Sequence, residues 1–81
     1  MKKIQLCDYK ANMGIFIDLN YHDNKVVEVA KHIPYEELLT NYKELLDKNK
    51  KYFLFCNGGI KSKKAATILE FYGYDVTLVY K

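Results

Sequence analysis

Residues 14–19 read Gly-Ile-Phe-Ile-Asp-Leu, a continuous apolar run closed by an acid. A strand with one wet face alternates apolar and polar residues, and this run has no polar face to offer water. It reads as a strand buried on both sides, the kind found in parallel sheets. A second short apolar run, residues 52–55, ends in Cys56 and is followed by Asn57-Gly58-Gly59-Ile60-Lys61 and then a helix-forming stretch. This reads as strand, tight loop and helix, with a thiol at the strand's C-terminal end, where open α/β sheets place their ligands.

The other segments fit around these two. Residues 3–7 alternate and predict a first strand, with Ile4 and Leu6 on one face. Residues 8–13 carry turn formers, and residues 21–25 are polar and loop-like. The β-branched residues 26–30 predict a third strand. Pro34 suits the first turn of a helix over residues 34–47, where its missing N–H costs nothing. Glu36 and Glu37 at its start, and Lys48 and Lys50 near its end, complement the helix dipole. Leu38, Leu39, Tyr42, Leu45 and Leu46 form its apolar stripe. A second helix over residues 62–72 turns Ala65, Ala66, Leu69 and Tyr72 to the sheet, and Gly73 stops it. Residues 75–80 make the fifth strand. Strands alternating with helices argue for a mostly parallel sheet.

Eighty-one residues make a single domain over residues 1–81, with a thin core. At 49% hydrophobic the chain is globular, but no apolar run reaches the length of a membrane span, and the N-terminal Met-Lys-Lys does not begin a signal peptide. The expected compartment is the cytoplasm. Two cysteines are too few for a disulfide scaffold, and with no Cys-x-x-Cys and isolated His22 and His32 no metal site is expected. All 13 basic residues are lysine and the net charge is only +3, which argues against nucleic-acid binding, where clustered bases including arginine are usual.

The loop after Cys56 carries the chemistry. Gly58 and Gly59 free the backbone to curl its N–H groups into an anion-binding nest. Ser62 opens a helix whose N-terminus adds partial positive charge, and Lys61, Lys63 and Lys64 raise the local potential. All three effects favour thiolate over thiol. Free cysteines are often inert, buried residues. Here the neighbouring glycines, lysine and helix start tip the reading toward a reactive nucleophile. Asp18, at the end of a buried strand, reads as a structural group that caps the neighbouring turn or bonds the loop. Cys7 reads as a small hydrophobe closing the first strand, His22 and His32 as surface or turn residues, and the eight tyrosines as core and core-edge residues.

These residues resemble the rhodanese homology domain. The likeness is carried by Cys56-x-x-Gly59-x-Lys61-Ser62, then Lys64-Ala65-Ala66, Ile68-Leu69 and Tyr72-Gly73-Tyr74-Asp75-Val76. Ile17-Asp18-Leu19 and Ala30-Lys31-His32-Ile33-Pro34-Tyr35-Glu36-Glu37-Leu38 add to it. The resemblance implies a three-layer α/β/α fold around a five-stranded, mainly parallel sheet. It also implies a sulfurtransferase, in which sulfane sulfur from thiosulfate or a persulfide passes to a thiol or cyanide through a persulfide on Cys56. Asn57, Gly58, Gly59, Ile60, Lys61 and Ser62 would be the substrate-binding residues, with no cofactor. The expected partners are a small sulfur donor and a thiol acceptor, free or carried on a protein, with no nucleic acid or membrane, and the chain is expected to be a monomer. Related phosphatases resemble Cys-x5-Arg, one residue longer than the spacing from Cys56 to Lys61, which disfavours phosphatase or arsenate chemistry. A non-catalytic docking or sulfur-carrier module is the other alternative.

The departures point to a trimmed member. Lys61 and Asn20 stand where the family usually has arginine, and the Gly-His-Ile segment expected near residues 25–27 is absent. The helix between the second and third strands is expected to be short or missing. The family's closing Gly-Gly and Trp-containing helix would lie beyond Lys81.

Overall fold

The computed structural model describes residues 1–22 and 26–81. Five strands form one sheet: β1 (Lys2–Gln5), β2 (Ile15–Asp18), β3 (Lys31–His32), β4 (Lys51–Phe55) and β5 (Asp75–Tyr80). Their order is β1-β5-β4-β2-β3, and every pairing is parallel. Two helices complete the α/β class, α1 (Tyr35–Leu45) and α2 (Ile60–Phe71). Short 3-10 turns at Leu6–Asp8 and Ala11–Met13 join β1 to β2.

Pleat alternation sorts the side chains into two cores. Ile17, Leu19, Tyr52, Leu54, Cys56 and Val76 pack with Leu38 of α1 and Ala65, Ala66 and Leu69 of α2. On the opposite face Phe16, Phe53, Phe55 and Val79 pack with Ile4, Leu6, Tyr9, Val26, Val27 and Ala30. That third layer is thin: its described part consists of the 3-10 turns and residues 26–30, without an α-helix. The Tyr9 ring packs on Phe16 and Phe53, 4.9 and 5.1 Å between centroids, while its hydroxyl donates to the Gly14 carbonyl at 2.7 Å. Burial pushes the Tyr9 phenol up from its ordinary value. Gly14 is required by space: a Cβ there would lie 2.7 Å from Phe53 Cε1 and 2.8 Å from the Lys51 carbonyl oxygen.

Several expectations need correction. Residues 26–30 are bends and turns, closed by Ala30 N–H donating to Val27 O at 3.0 Å, and the third strand is the two-residue Lys31–His32. The β-branched composition there reflects burial against the aromatic core, not a hydrogen-bonded ladder. The polar loop over residues 21–25 and the segment near residues 25–27 lie partly outside the described residues. The first strand ends at Gln5, so Cys7 sits in a 3-10 turn and is exposed, not a closing hydrophobe. Pro34 caps α1 just before its first residue. Leu45 is 39% exposed, because the helix departs from regular geometry at Asn41 and ends before Leu46, which is buried. Tyr72 lies at the surface and stacks on Tyr42, 5.3 Å between ring centroids, instead of facing the sheet. Tyr21 and Tyr80 are likewise exposed.

Helix α2 ends as Gly73 suggests. Gly73 takes a left-handed φ of 94°, its N–H donates to Glu70 O, and Tyr74 N–H donates to Leu69 O, both at 3.0 Å. This is a Schellman closure. It returns the chain to β5 beside β4 and fixes α2 across the sheet.

Candidate functional site

The strand order sets the place. From β2 the chain moves outward to β3, whereas from β4 it moves to β5 on the other side. The C-terminal ends of β2 and β4 therefore flank the switch point, where open α/β sheets form a crevice. Cys56 follows β4 and Asn20 lies just past β2. Both line one pocket of about 270 Å³, together with Tyr21, Gly58, Ile60 and Lys61.

The Cys56 side chain sits at the base of this pocket, and the residue is 5% exposed. The chain turns tightly after it. Gly59 adopts a left-handed φ of 77°, and its N–H donates to Cys56 O at 3.3 Å. That turn brings the first turn of α2 onto the sulfur: Ser62 N–H donates to Cys56 Sγ at 3.3 Å. The thiol donates in turn to Ser62 Oγ at 3.4 Å, and the Ser62 hydroxyl donates to Gly59 O at 3.2 Å. Ser62 is fully buried, so these bonds are shielded from water. A sulfur anion here would meet a backbone donor and the positive end of a 12-residue helix.

The loop's donors divide into two groups. Asn57 N–H donates to Asn20 Oδ1 at 2.8 Å, and Gly59 N–H is taken by Cys56 O. Those of Gly58, Ile60 and Lys61 donate to no protein group among the described residues and are the ones open to a bound anion. Lys61 lines the pocket, and its ammonium lies 6.0 Å from the centre of the Tyr35 ring, a cation–π distance.

Asn20, singled out in the sequence only as a departure from the family's arginine, has a structural role at the site. Asp18 is 1% exposed, and its Oδ1 accepts from Asn20 N–H at 2.9 Å and from Asn20 Nδ2 at 2.7 Å. The Asn20 carbonyl accepts from His32 Nε2–H at 2.7 Å. With Oδ1 of Asn20 on Asn57 N–H, the chain Asp18–Asn20–Asn57 ties the end of β2 to the loop after β4. Asp18 thus caps its own turn and reaches the loop through Asn20. His32 is half-buried and holds this turn in place. An arginine side chain could not accept the Asn57 N–H, so the asparagine that stands in place of the family's arginine supplies an acceptor. The Oδ2 atom of Asp18 is buried with no partner among the described residues.

Comparison with known proteins agrees with this fold. The fold matches a rhodanese-related protein from Thermoplasma volcanium at a TM-score of 0.84 and 24% identity, covering 99% of this chain and 84% of that one. It matches a rhodanese-like domain protein from Staphylococcus aureus at a TM-score of 0.77 and 26% identity, covering 99% and 85%. The chain is a rhodanese homology domain. Sequence similarity places the same domain beside two tRNA sulfurtransferases. That of Shewanella woodyi is 46% identical over 55 residues, 68% of this chain and 11% of the relative. That of Photobacterium profundum is 32% identical over 87 residues, 98% of this chain and 18% of the relative. The rhodanese homology domain described here therefore spans less than a fifth of the length of these curated relatives. No family model matches the chain.

Proposed function

We propose that this rhodanese homology domain carries sulfane sulfur on Cys56. The Cys56 thiolate attacks the outer sulfur of a donor such as thiosulfate or a persulfide. The donor's S–S bond breaks, the leaving group departs as sulfite or a thiolate, and a new S–S bond forms on Cys56. An acceptor thiolate then attacks the terminal sulfur, taking it as its own persulfide and returning Cys56 to thiolate. No external oxidant or reductant is needed, and the two half-reactions make a ping-pong cycle.

The observation that carries this reading is the Ser62 N–H bonded to Cys56 Sγ at the first turn of α2, inside a pocket open to small molecules. Charge on sulfur is stabilised there by fixed dipoles. The free N–H groups of Gly58, Ile60 and Lys61 are the candidates to hold the added sulfur, with Lys61 drawing anionic donors. The sulfurtransferase names of the sequence relatives support the same chemistry.

Intact-mass measurement after incubation with thiosulfate, and separately with polysulfide, tests it. The expected result is a gain of one sulfur that persists in Cys7→Ser and is lost in Cys56→Ser. A folded protein whose Cys56 takes no sulfur from either donor would overturn the proposal and leave a docking module in its place.

A further inference from the structure

The outward side of α2 next to the Cys56 pocket is not the polar surface a solvent-facing helix should present. Ile60 is 67% exposed and Ile68 is also exposed, and they lie on one helix face with Lys64 between them at i, i+4, i+8 spacing. With Tyr35, Lys63 and Thr67 they line a groove of about 600 Å³. Phe71, 84% exposed, continues the same face one turn further.

Three features specify what fits this groove. Gly58 and Ile60 line both it and the Cys56 pocket, so the two adjoin. Its apolar floor runs from Ile60 to Ile68, about 12 Å along the helix at 1.5 Å per residue. Its charged lining residues are Lys63 and Lys64, with no acid among the groove residues. A molecule occupying both spaces has its reactive atom at Cys56, an apolar arm on Ile60 and Ile68, and an anionic group at the lysines.

We propose that this groove is the subsite for the sulfur acceptor, and that the preferred acceptor is a thiol with an extended apolar arm ending in an anion. This rests on the sulfur-carrier reading of Cys56. In the transfer step the acceptor thiolate attacks the outer sulfur of the Cys56 persulfide. One S–S bond forms, the bond to Cys56 breaks, and the arm lies along α2.

The test uses ω-mercaptocarboxylates of increasing chain length, with ω-mercaptoalcohols of equal length as controls, offered to protein already loaded with sulfur. Transfer, measured as a second-order rate constant, is expected to rise up to about fourfold per added methylene until the groove is filled, following the burial of each CH2. The carboxylates are expected to exceed the alcohols, and Lys63→Glu/Lys64→Glu to cancel that preference, a change of about tenfold for two exposed charges reversed. Ile68→Ser is expected to flatten the length dependence while sulfur loading from thiosulfate stays unchanged. Protein that loads sulfur but shows neither length nor charge preference would overturn the inference while leaving the sulfur-carrier reading intact. A second measurement does not depend on loading: unmodified protein titrated with octanoate and with octanol, followed by NMR at Ile60, Ile68 and Lys64. Octanoate-selective shifts at these residues are expected, and their absence would also overturn the proposal. If Cys56 takes no sulfur and octanoate still binds there, the sulfur reading fails and takes the acceptor role with it, leaving a groove that binds apolar anions.

Discussion

Along β4 and into the residue after it, Tyr52, Leu54 and Cys56 belong to the face under the helices, whereas Phe53 and Phe55 belong to the opposite face. The helix face is close-fitting, mixing aliphatic side chains with Tyr52 and Tyr74, and Ala65 and Ala66 bring α2 down onto the strands. The other face is aromatic, Phe16 and Phe55 lying 5.9 Å apart, under short turns and residues 26–30. A regular helix can be placed to a fraction of an ångström by small residues, and its N-terminus then bonds a chosen atom. Irregular turns can fill volume over large rings but offer no such aim. The sheet therefore places the Cys56 loop on the helix face and draws stability from both.

Four substitutions probe that division. Phe16→Ala removes a ring that is 1% exposed and packed on Tyr9 and Phe55, and is expected to lower unfolding free energy by about 3–5 kcal/mol. Denaturant melts would show this, while sulfur loading of the folded fraction should stay near that of the unmodified chain. Slowed loading would mean that the two faces are not independent. Ala66→Leu should show the reverse balance. It overpacks the fully buried seat of α2 one turn from Ser62, costing about 1–3 kcal/mol, and shifts the Ser62 N–H away from Cys56. Iodoacetamide modification and sulfur loading of Cys56 are both expected to change more than in Phe16→Ala; equal rates would remove the assigned role of α2.

Asn20→Ala cuts the tie from Asp18 to Asn57 and is expected to cost about 1 kcal/mol. Its larger effect should be kinetic, a several-fold drop in sulfur loading as the loop loses its anchor, and Asn20→Asp should not restore the rate, because its carboxylate would face the buried Asp18 carboxylate where Nδ2 now donates. Tyr9→Phe is expected to cost about 1 kcal/mol through loss of the bond to Gly14 O, with no change at Cys56. The Tyr9 phenol is raised in the folded chain, so its contribution is fully present below the unfolded value near pH 10 and is lost as pH rises through the folded value. The melting temperature of Tyr9→Phe should therefore fall less steeply above pH 10 than that of the unmodified chain; parallel curves would contradict this.

Much of the fold is legible in the residues because local and global signals agree. The apolar runs at residues 14–19 and 52–55 are strands with two buried faces, residues 75–80 form β5 with the expected limits, and Gly73 closes α2. The third strand was misplaced because Val26 and Val27 carry a strand composition for a different reason, burial over Phe rings. In β3 itself, Lys31 and His32 carry no strand signature; backbone pairing to Ile17 and Asp18 decides it. At the site, the turn from Cys56 into the helix is visible in the glycines and Ser62. The role of Asn20 is not, since it depends on a contact 37 positions away in sequence. Exposed Ile60 and Ile68 also escape, because a sequence does not say which apolar residues stay uncovered.

The sheet's two margins have a consequence for the company this domain can keep. At one margin β3 is only two residues long, with Pro34 soon after it; at the other, β1 begins with exposed Lys2 and Lys3, and Lys2 is paired with Asp75. Short, charged and proline-flanked margins give a neighbouring strand little to zip onto. Such a domain can be crowded, or tethered beside other domains, without templating aggregation.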